Sequence, residues 1–207
     1  MSNPYALNLS SYSTHSIIIN NIGKNKKVLD IGCNDGYIGK DSDPTNTFYG
    51  LDYLQESVNK AKEVYKDAML YDLNNLKELS WNKKFDTLIF ADVLEHVLYP
   101  KEALYFFVNN YLKKGGKVII SLPNIANWQI RLNLLLGRFN YTETGIMDKT
   151  HLHFYTFKTA KELVKNQNLS IKNIYGGATF FGKIIKKAPF LRGLLSTNII
   201  YICEKTI

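Results

Sequence analysis

Glycines and carboxylates recur in this chain at spacings that a nucleoside can use. From Val28 to Gly39 it reads Val-Leu-Asp-Ile-Gly-Cys-Asn-Asp-Gly-Tyr-Ile-Gly, an apolar run entering a turn. Gly32 and Gly36 let the backbone there approach a ligand with no Cβ in the way. Asp52 ends the next apolar run, about 20 residues after Gly32, where a carboxylate accepts hydrogen bonds from both ribose hydroxyls of an adenosine. Asp72 closes a third run and can accept from the adenine amino group. A dinucleotide turn needs Gly-x-Gly-x-x-Gly, but the second and third positions hold Asn34 and Tyr37. A diphosphate would also sit badly beside Asp35 at a helix start. Acids at this turn suit a cofactor with a cationic sulfur and an α-amino group, which favours S-adenosylmethionine over a nicotinamide dinucleotide.

A second group of residues suits the receiving end of a group transfer. Glu95, His96, Asp148, His151 and His153 are the candidates. A histidine that is neutral near pH 7 can take a proton from a hydroxyl. His151, with Asp148 three residues earlier, could form a base and its orienting carboxylate. The plainer readings stay beside it: one of the alternating pair His151 and His153 only ties a loop, and Glu95-His96 only begins a helix. Asp148, His151 and His153 could also be read as metal ligands. Asp-x-x-His-x-His has no helical register and no further acid nearby, so no metal is expected.

These residues need a scaffold that brings strand ends together. Short runs rich in Val, Ile, Leu and Phe occur at 27–32, 47–52, 68–71, 85–91 and 116–122, as a sheet covered on both faces requires. Helical spacing lies between them, at 54–65, 100–111 and 156–167, with Pro100 in a first turn and Gly115-Gly116 as a helix stop. Residues 16–22 read as a leading helix and 130–136 as an inserted one, while 170–175 and 198–204 read as two further strands. The alternation predicts an α/β fold, doubly wound and Rossmann-like, with a seven-stranded mostly parallel sheet, an antiparallel last strand and an inserted segment after strand 5. It reads as a single domain over 1–207, with an N-terminal cap at 1–24 and a substrate-side insertion at 124–155. The stretch from Gly39 to Thr47 leaves little room for a first crossover helix. Residues 180–195, basic and apolar, read either as a lid for a lipid- or phosphate-linked acceptor or as a connection packed on the sheet.

Composition bounds the function class. With 45% hydrophobic residues the chain can bury a core, which excludes a mainly disordered protein. Lys and Arg number 26 against 18 Asp and Glu, a net charge of +8 that favours anionic partners without naming one. Cys33 and Cys203 have no paired spacing, so neither a disulfide scaffold nor a Cys-based zinc site is expected, and a cytoplasmic location is. No signal peptide is expected, nor an apolar stretch of the ~18 residues that a membrane span needs.

The motifs together resemble those of class I S-adenosylmethionine-dependent methyltransferases. Asp30-Ile-Gly-Cys-Asn-Asp-Gly36 is similar to the family's first motif, Gly50-Leu-Asp52 to its second, Phe85 to His96 to its fourth, and Leu112 to Ser121 to its strand-five motif. Leu122-Pro-Asn124, the 130–136 helix and Gly145 to Phe154 resemble a bacterial subgroup. It spans methyltransferase types 11 and 23, methionine-biosynthesis protein W-like proteins, and methyltransferases encoded with surface-polysaccharide genes. The resemblance implies that Asp30 and the backbone of Gly32, Cys33, Asn34 and Gly36 hold the methionyl part. It implies that Asp52, with Tyr53 beside it, holds the ribose, that Asp72 and Leu73 hold the adenine, and that Ala91 and Asp92 lie by the sulfonium and amino group. Asn34 replaces the family's middle glycine, a place that Asn tolerates because it adopts left-handed backbone readily. The expected activity is methyl transfer to a small molecule, a hydroxyl of a sugar or sugar-linked intermediate, with S-adenosylhomocysteine as product. Two other readings stand beside it. One is a cofactor-binding subunit that supports a partner enzyme. The other, an RNA methyltransferase, is disfavoured because Ala91-Asp-Val-Leu94 stands where Asn-Pro-Pro-Tyr would and the lysines are dispersed.

Overall fold

The computed structural model describes residues 10–178 and 180–206, so residues 1–9 of the expected N-terminal cap lie outside the described residues. Seven strands among these form one sheet: β1 Lys27–Ile31, β2 Thr47–Asp52, β3 Asp67–Leu70, β4 Phe85–Ala91, β5 Leu112–Pro123, β6 Leu169–Gly177 and β7 Asn198–Lys205. Their order is β3-β2-β1-β4-β5-β7-β6. The first five pair in parallel, and β7 lies antiparallel between β5 and β6. The strand order reverses between β1 and β4, so their carboxyl ends diverge and leave a crevice there.

Alternating side chains divide the core between the two faces of the sheet. Leu29, Leu88, Phe90, Val118, Ile120, Ile199 and Tyr201 face one side, where they meet Leu104, Phe107 and Val108 of α4 (Pro100–Tyr111) and Leu163 of α6 (Phe157–Val164). Val28, Ile89, Ile119, Ile200 and Ile202 face the other. They meet Ile18 and Ile22 of α1 (Thr14–Ile22), Ile38 of α2 (Tyr37–Asp41), and Val58 and Ala61 of α3 (Gln55–Val64). Burial of both faces is what gave these strands their continuous apolar runs. Phe107 is fully buried, with its ring edge-on to those of Tyr71, Phe90 and Phe106. Phe107→Ala is expected to cost about 3–5 kcal/mol, read as a lower urea midpoint with unchanged slope.

Several boundaries differ from the expected ones for local reasons; the inserted helix expected at 130–136 is α5 (Trp128–Leu135), begun earlier because Asn127 caps it by accepting from the Gln129 N–H. The first crossover helix, α2, is a five-residue piece, in keeping with the short segment that contains it. The helix over Pro100–Tyr111 has the expected bounds, but Gly115-Gly116 is not its stop, because Leu112 already pairs with Phe85 and the ladder resumes at Thr87 with Lys117. The two glycines therefore sit in an irregular stretch of β5. Thr156 caps α6 by accepting from the Thr159 N–H, and the helix ends at Val164 rather than Gln167, followed by left-handed Asn166 and Asn168. Residues 180–195 form α7 (Gly182–Lys187), a 3₁₀ turn and α8 (Arg192–Leu195); Gly182 and Ile185 are buried, while Phe180 and Phe190 stay exposed. None of the helices among the described residues is long and apolar enough to cross a membrane.

Candidate active site

The carboxyl ends of β1, β2, β3 and β4 open on a cleft of about 640 Å³. Gly32, Asn34, Asp52, Tyr53, Asp72, Leu73 and Asp92 line it on one side, with His96, Asp148, Lys149 and Thr150 on the other. The turn after β1 is fixed from below: the Gly32 and Cys33 N–H groups both donate to the Leu51 carbonyl, at 2.8 and 2.9 Å. Asn34 takes the left-handed backbone (φ 46°) expected of a residue in a glycine's place, and its side-chain oxygen accepts from the Asp35 N–H.

Asp52 is held firmly. Its Oδ2 accepts from the Asn34 N–H at 2.9 Å and its Oδ1 from the Leu54 N–H at 3.0 Å, which ties the β1 turn to the start of α3. Each oxygen keeps a second lone pair for a ligand hydroxyl. Asp72 caps its own turn by accepting from Asn74 N–H. Asp92, also in left-handed backbone (φ 49°), accepts from the Ser121 hydroxyl at 2.8 Å and from the Asn198 amide at 3.0 Å. Its surface is open to the cleft, but the carboxyl stands among the tips of β4, β5 and β7, and this desolvation raises its pKa against those hydrogen bonds.

Asp30, Cys33, Gly36 and Ala91 do not line the cleft. Asp30 is completely buried beneath the turn, where its Oδ2 accepts from the Tyr65 hydroxyl at 2.6 Å and its Oδ1 has no partner among the described residues. Desolvation pushes its pKa up to about 7, opposed by the Tyr65 hydrogen bond and reinforced by the nearby Asp52 charge. Tyr65 also accepts from the Gly39 N–H, so one phenol joins α2 to the buried acid. Cys33 is buried, and burial pushes its thiol pKa up, assisted by Asp30 and Asp52.

On the acceptor side, Asp148 does not orient His151. Its carboxylate accepts from the Thr150 hydroxyl at 2.6 Å and the Thr150 N–H at 2.8 Å. Thr150 thereby spends its hydroxyl proton on Asp148, so at 3.1 Å it can only accept from His96 Nδ1. The Thr150 carbonyl, 3.2 Å from the same nitrogen, also requires a proton there. This network fixes a proton on His96 Nδ1, so in the neutral imidazole the lone pair lies on Nε2. Thr150 is the member of this relay that motif reading missed; its only sequence signal is the Asp-x-Thr spacing of a local side-chain turn.

His151 lies behind His96, the rings edge-on with centroids 4.8 Å apart. It is buried, its Nδ1 donates to the Ile146 carbonyl at 3.1 Å, and desolvation lowers its pKa. His153 contacts the Leu98 carbonyl at 3.4 Å, the loop-tying role foreseen for one of the pair. Glu95, fully buried in the 3₁₀ turn Leu94–His96, has its pKa raised well above the carboxylate range by burial. Its backbone carbonyl accepts from the Leu152 and His153 N–H groups, pinning the inserted segment against the end of β4.

Comparison with known proteins agrees with this architecture. The family described as "Methionine biosynthesis protein MetW" matches residues 13–202. The chain belongs to the MetW family. A ubiquinone biosynthesis O-methyltransferase of Rickettsia bellii is 26% identical over 161 residues, covering 72% of this MetW-family chain and 64% of that protein. The chain spans between 32% and 65% of the length of the curated relatives it matches. Among solved structures, the YcgJ protein from Bacillus subtilis has a TM-score of 0.64 at 16% identity, covering 93% of this chain and 98% of that one. An S-adenosylmethionine-dependent methyltransferase from Mesorhizobium loti has a TM-score of 0.63 at 14% identity, covering 88% and 92%. At these identities the likeness establishes the fold.

Proposed function

We propose that this MetW-family chain is an S-adenosylmethionine-dependent O-methyltransferase. Its acceptor is a small hydroxyl compound, a sugar or sugar-linked intermediate, and residues 124–155 form the acceptor-side segment of one catalytic domain. The observation that carries the reading is the doubly anchored Asp52 facing the relay-oriented His96 across one cleft. The cofactor fits the residues present. Asp52 and Tyr53 would take the ribose and Asp72 and Leu73 the adenine, with Gly32, Asn34 and Asp92 nearest the methionyl part. Asp30, Cys33, Gly36 and Ala91 support that cradle from beneath. When bound, the cofactor supplies an already activated methyl group on a cationic sulfur.

The chain's own task is then alignment and proton transfer. An acceptor hydroxyl seated in the cleft would give its proton to His96 Nε2. Asp148, through Thr150, holds His96 in the tautomer that can accept it. The polar far wall, with Lys149 ion-paired to Glu143 at 2.5 Å, suits a polyhydroxyl or phosphate-bearing acceptor better than an apolar ring. Two buried cysteines without a bridge are in keeping with a reducing, cytoplasmic setting. Calorimetry with S-adenosylhomocysteine tests the reading. Wild-type protein is expected to bind one equivalent, and Asp52→Ala to bind roughly tenfold to hundredfold more weakly, the value of hydrogen bonds to a charged group. Failure of the wild type to bind overturns it.

A further inference from the structure

Two histidines and one carboxylate meet at the base of the acceptor side in an arrangement that proton transfer does not require. Glu95, His96 and His151 each place a ligand atom within 4.8 Å of the others. Neither carboxyl oxygen of Glu95 has a hydrogen-bond partner among the described residues, although the side chain is fully buried. Leaving such a group unpaired is costly, so its retention calls for an explanation. Both imidazoles are fixed the same way round: His96 Nδ1 on the Thr150 carbonyl and hydroxyl, and His151 Nδ1 on the Ile146 carbonyl. That leaves both Nε2 lone pairs free of protein donors, and His151 Nε2 points to Glu95 Oε1 at 4.0 Å. Anchoring the far nitrogen on a carbonyl is how metal-binding histidines are oriented.

We propose that Glu95, His96 and His151 bind one divalent cation of the zinc type. Two imidazoles and a carboxylate suit a borderline cation rather than magnesium or calcium, which prefer all-oxygen shells. Ligand atoms around tetrahedral zinc lie roughly 3.4 Å apart, so the widest separation, 4.8 Å, closes by about 1.4 Å on loading. His96, half-exposed at the cleft edge, is the member whose ring can shift inward while its Nδ1 stays on Thr150. The cation's remaining position then faces the cleft. There it would hold the acceptor oxygen after that oxygen has released its proton to solvent, a role that rests on the methyltransferase reading. In the loaded protein His96 is a ligand and not the proton acceptor; the two uses exclude each other.

The test strips the full chain with a chelator and titrates it with Co²⁺, whose visible spectrum reports coordination. One equivalent per chain is expected, displaced by Zn²⁺. Binding should be lost in His151→Gln and Glu95→Gln and weakened at least tenfold in His96→Ala, but unchanged in His153→Ala. Because His96 is half-exposed, its variant stays interpretable should the buried ones fold poorly; circular dichroism of each stripped variant checks this. No Co²⁺ bound by wild type, or stoichiometric binding kept by His96→Ala and a folded Glu95→Gln, overturns the proposal. S-adenosylhomocysteine calorimetry on the stripped protein separates the two readings. Nucleoside binding without cobalt binding removes only the metal site, and the converse removes only the proposed activity.

Discussion

Gly32→Val is expected to abolish S-adenosylhomocysteine binding and to lower the melting temperature by roughly 10 °C or more, a loss of about 3–5 kcal/mol in a chain of this size. Two penalties add. Gly32 has a φ of 77°, where a β-branched side chain is an outlier costing about 1–3 kcal/mol. A Cβ there would also lie 2.6 Å from Val93 Cγ2 and 2.9 Å from Val93 Cβ. Val93 cannot step aside freely, because it follows Asp92, which Ser121 and Asn198 hold in place. The turn after β1 and the tip of β4 must therefore separate, and these are the two walls between which the cofactor would lie. A double-mutant cycle apportions the terms. Gly32→Ala should be less costly in a Val93→Ala background, since the nearest methyl is gone, yet still destabilising, since the backbone strain and the 2.9 Å approach to the residue 93 Cβ remain. A near-wild-type melting temperature and nucleoside affinity for Gly32→Ala would refute the close-approach argument.

The same contact shows what the sequence could and could not disclose. The strand periodicities reflect burial on two faces, a property that each strand carries locally, and so the sheet and most helices were legible. The reversal of strand order follows from β4 returning beside β1, and it brings Gly32, Asp52, Asp72 and Asp92 to one edge. The acceptor side was legible only as a list of titratable residues. Which of His96, His151 and His153 meets the cleft depends on a loop whose course is set by backbone contacts, such as the Glu95 carbonyl accepting from Leu152 and His153 N–H groups. No periodicity encodes those contacts. The expected pairing of Asp148 with His151 gave way to a shorter-range competitor, since Thr150 offers both a hydroxyl and an N–H two residues away. For the same reason Glu95 read as a helix start, although the fold buries it beside both histidines.

Asp30→Asn should invert its effect on stability between acid and alkaline pH. In the folded chain the Asp30 carboxyl holds its proton up to about pH 7, against an ordinary value of 3.8. Between those values the unfolded chain has lost a proton that the folded chain keeps. Stability therefore falls as pH rises, by about 1.4 kcal/mol per pH unit and about 4 kcal/mol in all, and this loss is complete above pH 7. Asparagine cannot ionise, so the variant lacks this term. Its amide oxygen can still accept from the Tyr65 hydroxyl, while its NH₂ takes the place of the unpartnered Oδ1 and costs about 1–3 kcal/mol. The variant is thus expected to be less stable than wild type near pH 4 and more stable near pH 8. Asp92 and Glu95, raised in the same direction, remain in both proteins and largely cancel from the difference. Urea denaturation of both proteins at a series of pH values measures the difference directly. A stability difference that stays constant from pH 4 to pH 8 would mean that Asp30 ionises normally, and that the β1 turn is solvated from below rather than seated on a neutral acid.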